Sequence, residues 1–303
     1  MNIPKINSKI LLSGASIAAA AALVVGATFA FFSDTETSTG NTFVAGNIDL
    51  QIDNTSYVTD ANGNLVASSP TSWIQSDLTV QKFFNFSDVK PGDIGEDTIS
   101  IHVGSNDAWL CAAAQITDDS DQTCTEPEVA DDPSCANPGL GLGELDQGLN
   151  FAFWKDDGDN VFETGQFQTD PDVDGPIFLS GPLSGLGTQG KIALVDNSGG
   201  PFGPSPVPGN STSYIGKAWC FGTLTPAAVA QDGSGTDGPL TGSPTPRGTG
   251  FTCEGSGVDN AAQTDQVIGD LQFYAEQSRN NDQFDCDTNY TPVWPSPSPS
   301  PSS

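Results

Sequence analysis

The chain of 303 residues has little positive charge and almost no imidazole: nine Lys and Arg, one histidine and one methionine, against 38 Asp and Glu. The resulting net charge of −29 excludes nucleic acid and anionic membrane surfaces as partners, because phosphates would be repelled rather than neutralised. A lone His102 cannot supply a His-Glu-x-x-His zinc motif, and any His-dependent hydrolase triad would have to use this same residue. There is no Cys-x-x-Cys, so zinc ribbons and thioredoxin-type redox sites have no footing. Beyond the first thirty residues no convincing amphipathic helix appears, and no apolar run closes the sequence. What is abundant is turn chemistry: 34 Gly and 22 Pro, with only 16% charged residues. That composition points to an all-β, exported protein.

The first residues set the compartment. Lys5 and Lys9 precede an uncharged, Ala-, Leu- and Val-rich stretch from Ile10 to Ser33. Small residues at Thr28 and Ala30 fit cleavage between Ala30 and Phe31, which makes residues 1–30 a signal peptide read by signal peptidase. Two other readings stay open. About 20 apolar residues can also span a bilayer as a retained anchor, and a pilin-like leader would be cut before the apolar run. The expected organisation is a signal peptide (1–30), an N-terminal segment (31–42), a β-domain with long insertions (43–290) and a Pro/Ser tail (291–303). The tail reads as an extended polyproline-type segment that cannot pack a core. The expected location is extracellular or on the cell surface.

Six cysteines fit an oxidising compartment: Cys111, Cys124, Cys135, Cys220, Cys253 and Cys286. Six allow 15 pairings. Cys124 and Cys135 bracket one acidic loop and are the natural local bridge. Cys253 with Cys286 and Cys111 with Cys220 are the expected remaining pairs.

Alternation marks the strands. Ile48, Leu50 and Ile52 share one face of the first, and Ile99, Ile101 and Val103 share one face of another, opposite Thr98, Ser100 and His102. On that facing His102 is a solvent-side strand residue. Residues 108–116, 149–154, 191–195, 213–222 and 267–276 read as further strands. Asn62-Gly63 suits a hairpin turn, and Pro91-Gly92 a tight turn ahead of the strand at 98–103. Long connections at 117–139, 198–212 and 231–250, with no blade-length repeat, favour a sandwich over a propeller.

Calcium is the metal the composition favours, since hard cations take oxygen ligands from Asp-rich turns. Asp156, Asp157, Asp159 and Glu163 crowd around Gly158 and are the candidate calcium ligands. Asp170–Gly175 matches the opening of an EF-hand loop, but the twelfth position is Gly181 where Glu is required. A carboxylate-only glycosidase would need one acid pair singled out by spacing, and none is.

The junction Gly26-Ala27-Thr28-Phe29-Ala30-Phe31-Phe32-Ser33-Asp34, followed by Asn41-Thr42-Phe43-Val44-Ala45-Gly46-Asn47-Ile48-Asp49-Leu50, resembles the SipW-type signal peptide and mature start of the TasA/camelysin family. Val89-Lys90-Pro91-Gly92-Asp93 resembles that family's turn before its second main strand. The resemblance covers about a sixth of the chain; the six cysteines, the tail and the long loops depart from the family pattern. It implies a jelly-roll-like β-sandwich, exported and self-associating into extracellular, biofilm-matrix-like fibres, with the segment after the cleavage site donated as a strand to a neighbour. Phe31 to Gly40 is placed to act as that donor. Camelysin relatives also carry a metallopeptidase label, so a camelysin-like peptidase is the first alternative function. A calcium-dependent surface adhesion module is the second.

Overall fold

The computed structural model describes residues 33–37, 48–164, 175–242 and 244–294. The signal region, Phe31, the Asp170–Asp174 cluster and the tail from Pro295 lie outside the described residues. Among the described residues fifteen strands run in chain order: β1 (Ser33–Thr37), β2 (Leu50–Thr59), β3 (Leu65–Ala67), β4 (Trp73–Ser76), β5 (Ile94–Val103), β6 (Ala108–Asp121), β7 (Leu149–Asp156) and β8 (Glu163–Thr164). Then follow β9 (Ile177–Pro182), β10 (Lys191–Val195), β11 (Ser211–Phe221), β12 (Thr223–Pro226), β13 (Val229–Ala230), β14 (Phe251–Glu254) and β15 (Asp265–Gln277). Among the described residues the longest helix is Leu183–Gln189, and no helix is long and apolar enough to cross a membrane.

Two sheets carry the fold. One has the order β1-β15-β6-β10, the other β3-β2-β5-β11-β7-β9 with β4 also on β2. The chain is all-β, and its two-sheet sandwich is jelly-roll-like in setting the first strand against the last. Alternation supplies the core. Leu50, Ile52, Ile99, Ile101 and Val103 of the larger sheet meet Leu110, Ala112, Phe273 and Ala275 of the smaller, all buried. Phe83 ties the layers, its ring 5.0 Å from Trp73 and 5.9 Å from Phe273. Each buried Leu, Ile, Val or Phe among them contributes about 1.5–3 kcal/mol by leaving water.

The Asn62-Gly63 turn joins β2 to β3, with Gly63 at φ 80° and Asp60 Oδ1 accepting from the Asn62 and Asn64 amides. The Pro91-Gly92 turn directly precedes β5, as read. The connection expected from residue 117 starts later, because β6 continues to Asp121 along β15.

The larger sheet departs from a half-buried pattern. Glu96, Thr98 and Ser100 on the polar side of β5 are buried as well. The long connections fold back over that face and build a second apolar layer, in which Trp154 packs 5.5 Å from Phe162 and 5.2 Å from Phe251. Gly216 makes room for it: a Cβ there would lie 2.1 Å from the Trp154 ring, so only glycine fits.

The same two-faced burial decides the disulfides. Cys124 pairs with Cys135 as expected, but Cys111 pairs with Cys286 and Cys220 with Cys253. The expected Cys111–Cys220 and Cys253–Cys286 pairs are therefore corrected. Ala112 stands opposite Phe273, which packs on Phe83 between the sheets, whereas Cys111 stands opposite Tyr274, which stacks on Phe284 and Tyr290, so Cys111 points outward from the smaller sheet. Ala218 belongs to the outer layer of the larger sheet, so Cys220 on the same strand face points outward on the opposite side of the molecule. The whole sandwich separates them, beyond the roughly 7 Å Cα limit for a bridge. Each instead meets a cysteine on the segment covering its own outer face.

Candidate functional site

The four acids singled out in the sequence come together where β7 ends. Asp156 is its last residue and is buried, with Oδ2 accepting from Thr98 Oγ1 (2.6 Å) and the Gly158 amide (3.2 Å) and Oδ1 from Trp154 Nε1 (3.1 Å). The chain then reverses through Gly158 at φ 112°, where a Cβ would lie 3.2 Å from the Tyr214 ring, and Asn160 at φ 67°. This turn brings oxygens of Asp156, Asp157 and Asp159 within 4.8 Å of one another, and those of Asp159, Glu163 and Asp232 likewise.

Arg247 closes the group. Its Nη1 donates to Asp159 Oδ2 at 2.9 Å and sits 2.8 Å from Asp232 Oδ2, while Nη2 donates to Glu163 Oε1. Neither Arg247 nor Asp232 was legible as part of the site. They lie in the 231–250 connection, far along the chain, and the one available signal was an arginine in a loop of a chain with so few cations.

Three carboxylates, Asp159, Glu163 and Asp232, therefore share one guanidinium, and Asp156 and Asp157 crowd beside them. Burial, and then the neighbouring acids Asp156, Asp157 and Glu163, push Asp159 up to about 8. Burial pushes Asp156 up to about 7, against the hydrogen bond from Thr98. Asp157 and Glu163 are raised too, again mainly by burial. A hard cation would suit the Asp157–Asp159 side of the group, where the ligand set is all oxygen. On the Glu163 side the guanidinium already fills that role.

His102 lies on the side of β5 opposite Ile99 and Ile101, as the alternation reads, but is half-buried rather than solvent-facing. Its Nε2 is 2.6 Å from Asp53 Oδ2 and its Nδ1 2.9 Å from Thr212 Oγ1. Among the described residues no acid or cysteine group of metal-binding geometry includes it.

β1 lies along the edge of the smaller sheet. Ser33–Thr37 runs antiparallel to β15, with Ser33 opposite Glu276, Thr35 opposite Tyr274 and Thr37 opposite Gln272. The N-terminal segment thus occupies a sheet edge of its own chain.

Residues 5–66 match the family described as camelysin metallo-endopeptidase. The TasA/camelysin resemblance holds over this stretch. The camelysin-like part reaches through β2 and its hairpin into β3, and the acidic site lies wholly outside it. No curated protein and no solved structure matches this chain.

Proposed function

We propose that the chain is an exported structural subunit of extracellular or cell-surface fibres, assembled by donation of the N-terminal strand. The observation that carries this reading is the pairing of Ser33–Thr37 with the edge of β15. A ladder made in one chain can be made with the same segment of a neighbour, because the main-chain hydrogen bonds and the register are identical. An edge left open by such an exchange is the kind that recruits another strand. The camelysin-type N-terminus supports export, and three disulfides suit an oxidising exterior.

On this reading the chain is not a peptidase. A catalytic zinc takes about three protein ligands around an open water position, and the single histidine is engaged by Asp53 and Thr212. Electron micrographs of the purified mature protein, with and without residues 31–40, test the reading. Filaments from the full mature chain and folded monomers from the truncated one are expected. Normal filaments without residues 31–40 would end the strand-donation mechanism, and proteolysis lost in His102→Ala would restore the enzyme.

A further inference from the structure

A second acidic group, unconnected with the first, sits where the Cys124–Cys135 loop meets the end of β6 and the start of β15. Asp121, Glu128 and Asp265 place carboxylate oxygens within 4.8 Å of one another, and Glu128 stands in the same relation to Asp132. These residues are drawn from two strands and a loop, up to 144 positions apart in sequence.

The hydrogen bonding is one-sided. Glu128 Oε2 accepts from the Thr125 amide at 3.0 Å, and Asp132 Oδ1 from the amide (2.7 Å) and hydroxyl (2.6 Å) of Ser134. Asp265 Oδ2 accepts from the amides of Glu144 (2.6 Å) and Leu145 (3.0 Å). The second oxygen of each is buried and meets no donor of the protein: Glu128 Oε1, Asp132 Oδ2 and Asp265 Oδ1. Glu144 Oε2 joins them. Asp121, only 3% exposed, has both oxygens in that condition. Backbone amides therefore orient Glu128, Asp132 and Asp265 by one oxygen each and leave the other for a shared partner, while Asp121 offers both.

Among the described residues, no ion pair to Lys, Arg or His reaches this group. This is the contrast with the first cluster, where Arg247 is inserted. Buried carboxylates this close need a cation or protons to offset their repulsion. We propose that Asp121, Glu128 and Asp265, with Asp132 and Glu144 beside them, bind a calcium ion that pins the disulfide-closed loop to β6 and β15.

The donor set selects the ion. All the available ligands are oxygen, and Cys135 is spent in its disulfide, which disfavours zinc and other thiolate- or imidazole-seeking metals. Several carboxylates converging from separate segments suit calcium's six to eight oxygen ligands. Magnesium asks for a smaller octahedral cage and keeps its water.

Calorimetric titration of the disulfide-intact exported chain with calcium, beside the Asp121→Asn/Glu128→Gln variant, tests this. The variant should lose one equivalent of binding, or bind it more weakly by at least the roughly 10–100-fold that removing a supporting residue costs a metal site. In chelator the variant should melt at or above the parent, since it removes like charges. A purely structural role for these acids predicts a loss there instead. Unchanged stoichiometry and affinity in the variant would overturn the site, as would tighter binding of magnesium than of calcium. If the variant does not fold, hydrogen exchange on the parent decides. Calcium-dependent protection at residues 121–145 and the start of β15 supports the site, and equal exchange in calcium and chelator overturns it. Filament formation enters none of these measurements, so the fibre reading stands or falls separately.

Discussion

Arg247 donates to Asp159 across 88 residues of sequence, and this contact joins the 231–250 connection to the turn after β7. The Arg247 side chain is 9% exposed and that of Asp159 only 1%. Removing one partner of a buried pair strands the other as an unpaired charge, at a cost of about 3–5 kcal/mol. Arg247→Met should therefore destabilise the chain by about that much in urea melts run in chelator above pH 8, where Asp159 is ionised. A loss well under 1 kcal/mol would mean that the carboxylates are already neutralised by protons.

Protonation of the same group gives a pH dependence with a definite sign. Asp156 rises to about 7 and Asp159 to about 8 from an ordinary 3.8, in both cases chiefly through burial. A raised folded-state value means that the folded chain holds the proton more tightly than the unfolded one. The stability it brings is complete below pH 3.8 and is lost as pH rises through about 7 to 8. In chelator the melting temperature should be higher near pH 5.5 than near pH 8.5. Asp156→Asn combined with Asp159→Asn should flatten the difference. A parent that melts higher at the alkaline value would contradict the burial of these charges.

The core holds its own ion pair. Lys217 and Asp97 face each other between the sheets with no exposure, Asn54 Nδ2 donates to Asp97 Oδ1 at 3.2 Å, and Lys217 lies 3.7 Å over the Phe84 ring. Burial draws the Lys217 ammonium below its usual range, opposed by Asp97. Lys217→Met should cost about 3–5 kcal/mol, because Asp97 is left buried and alone. Lys217→Met with Asp97→Leu should recover most of that in equilibrium unfolding. A double variant as unstable as the single one would show that the pair does more than cancel its own charges.

What was legible in the sequence follows from which interactions are local. Lys191–Val195 was readable as a short apolar run, and the Ile99, Ile101, Val103 face because strand alternation is a property of neighbours. The Cys124–Cys135 bridge was readable because its loop is short. Cys111 and Cys220 were not, since each choice of partner depends on which sheet face the residue takes and which later segment covers it. Asp156–Glu163 announced itself by density in one turn, whereas Arg247 and Asp232 reach it only through the folded connection. Asp121, Glu128 and Asp265 gave no signal at all, being ordinary acids in an acidic chain until the sheet brings them together.

Strand donation makes a prediction about charge. The N-terminal segment that includes the donor, Phe31 to Thr42, contains Asp34 and Glu36 and no basic residue, and the body it would join is strongly acidic. Main-chain hydrogen bonds along β15 must therefore work against like-charge repulsion. A synthetic peptide of residues 31–42 should bind the mature chain that lacks them, more tightly at higher salt, where the Debye length falls from about 30 Å at 0.01 M to about 10 Å at 0.1 M. Replacing Thr35 and Glu36 by proline should abolish binding, because adjacent prolines leave no phase of the ladder with its donors intact. Lys in place of Asp34 and Glu36 should strengthen binding at low salt and remove the salt dependence. Fluorescence anisotropy on the labelled peptides reads all three. A proline peptide that binds as well as the parent would show that side-chain contacts, and not a strand ladder on β15, hold this segment.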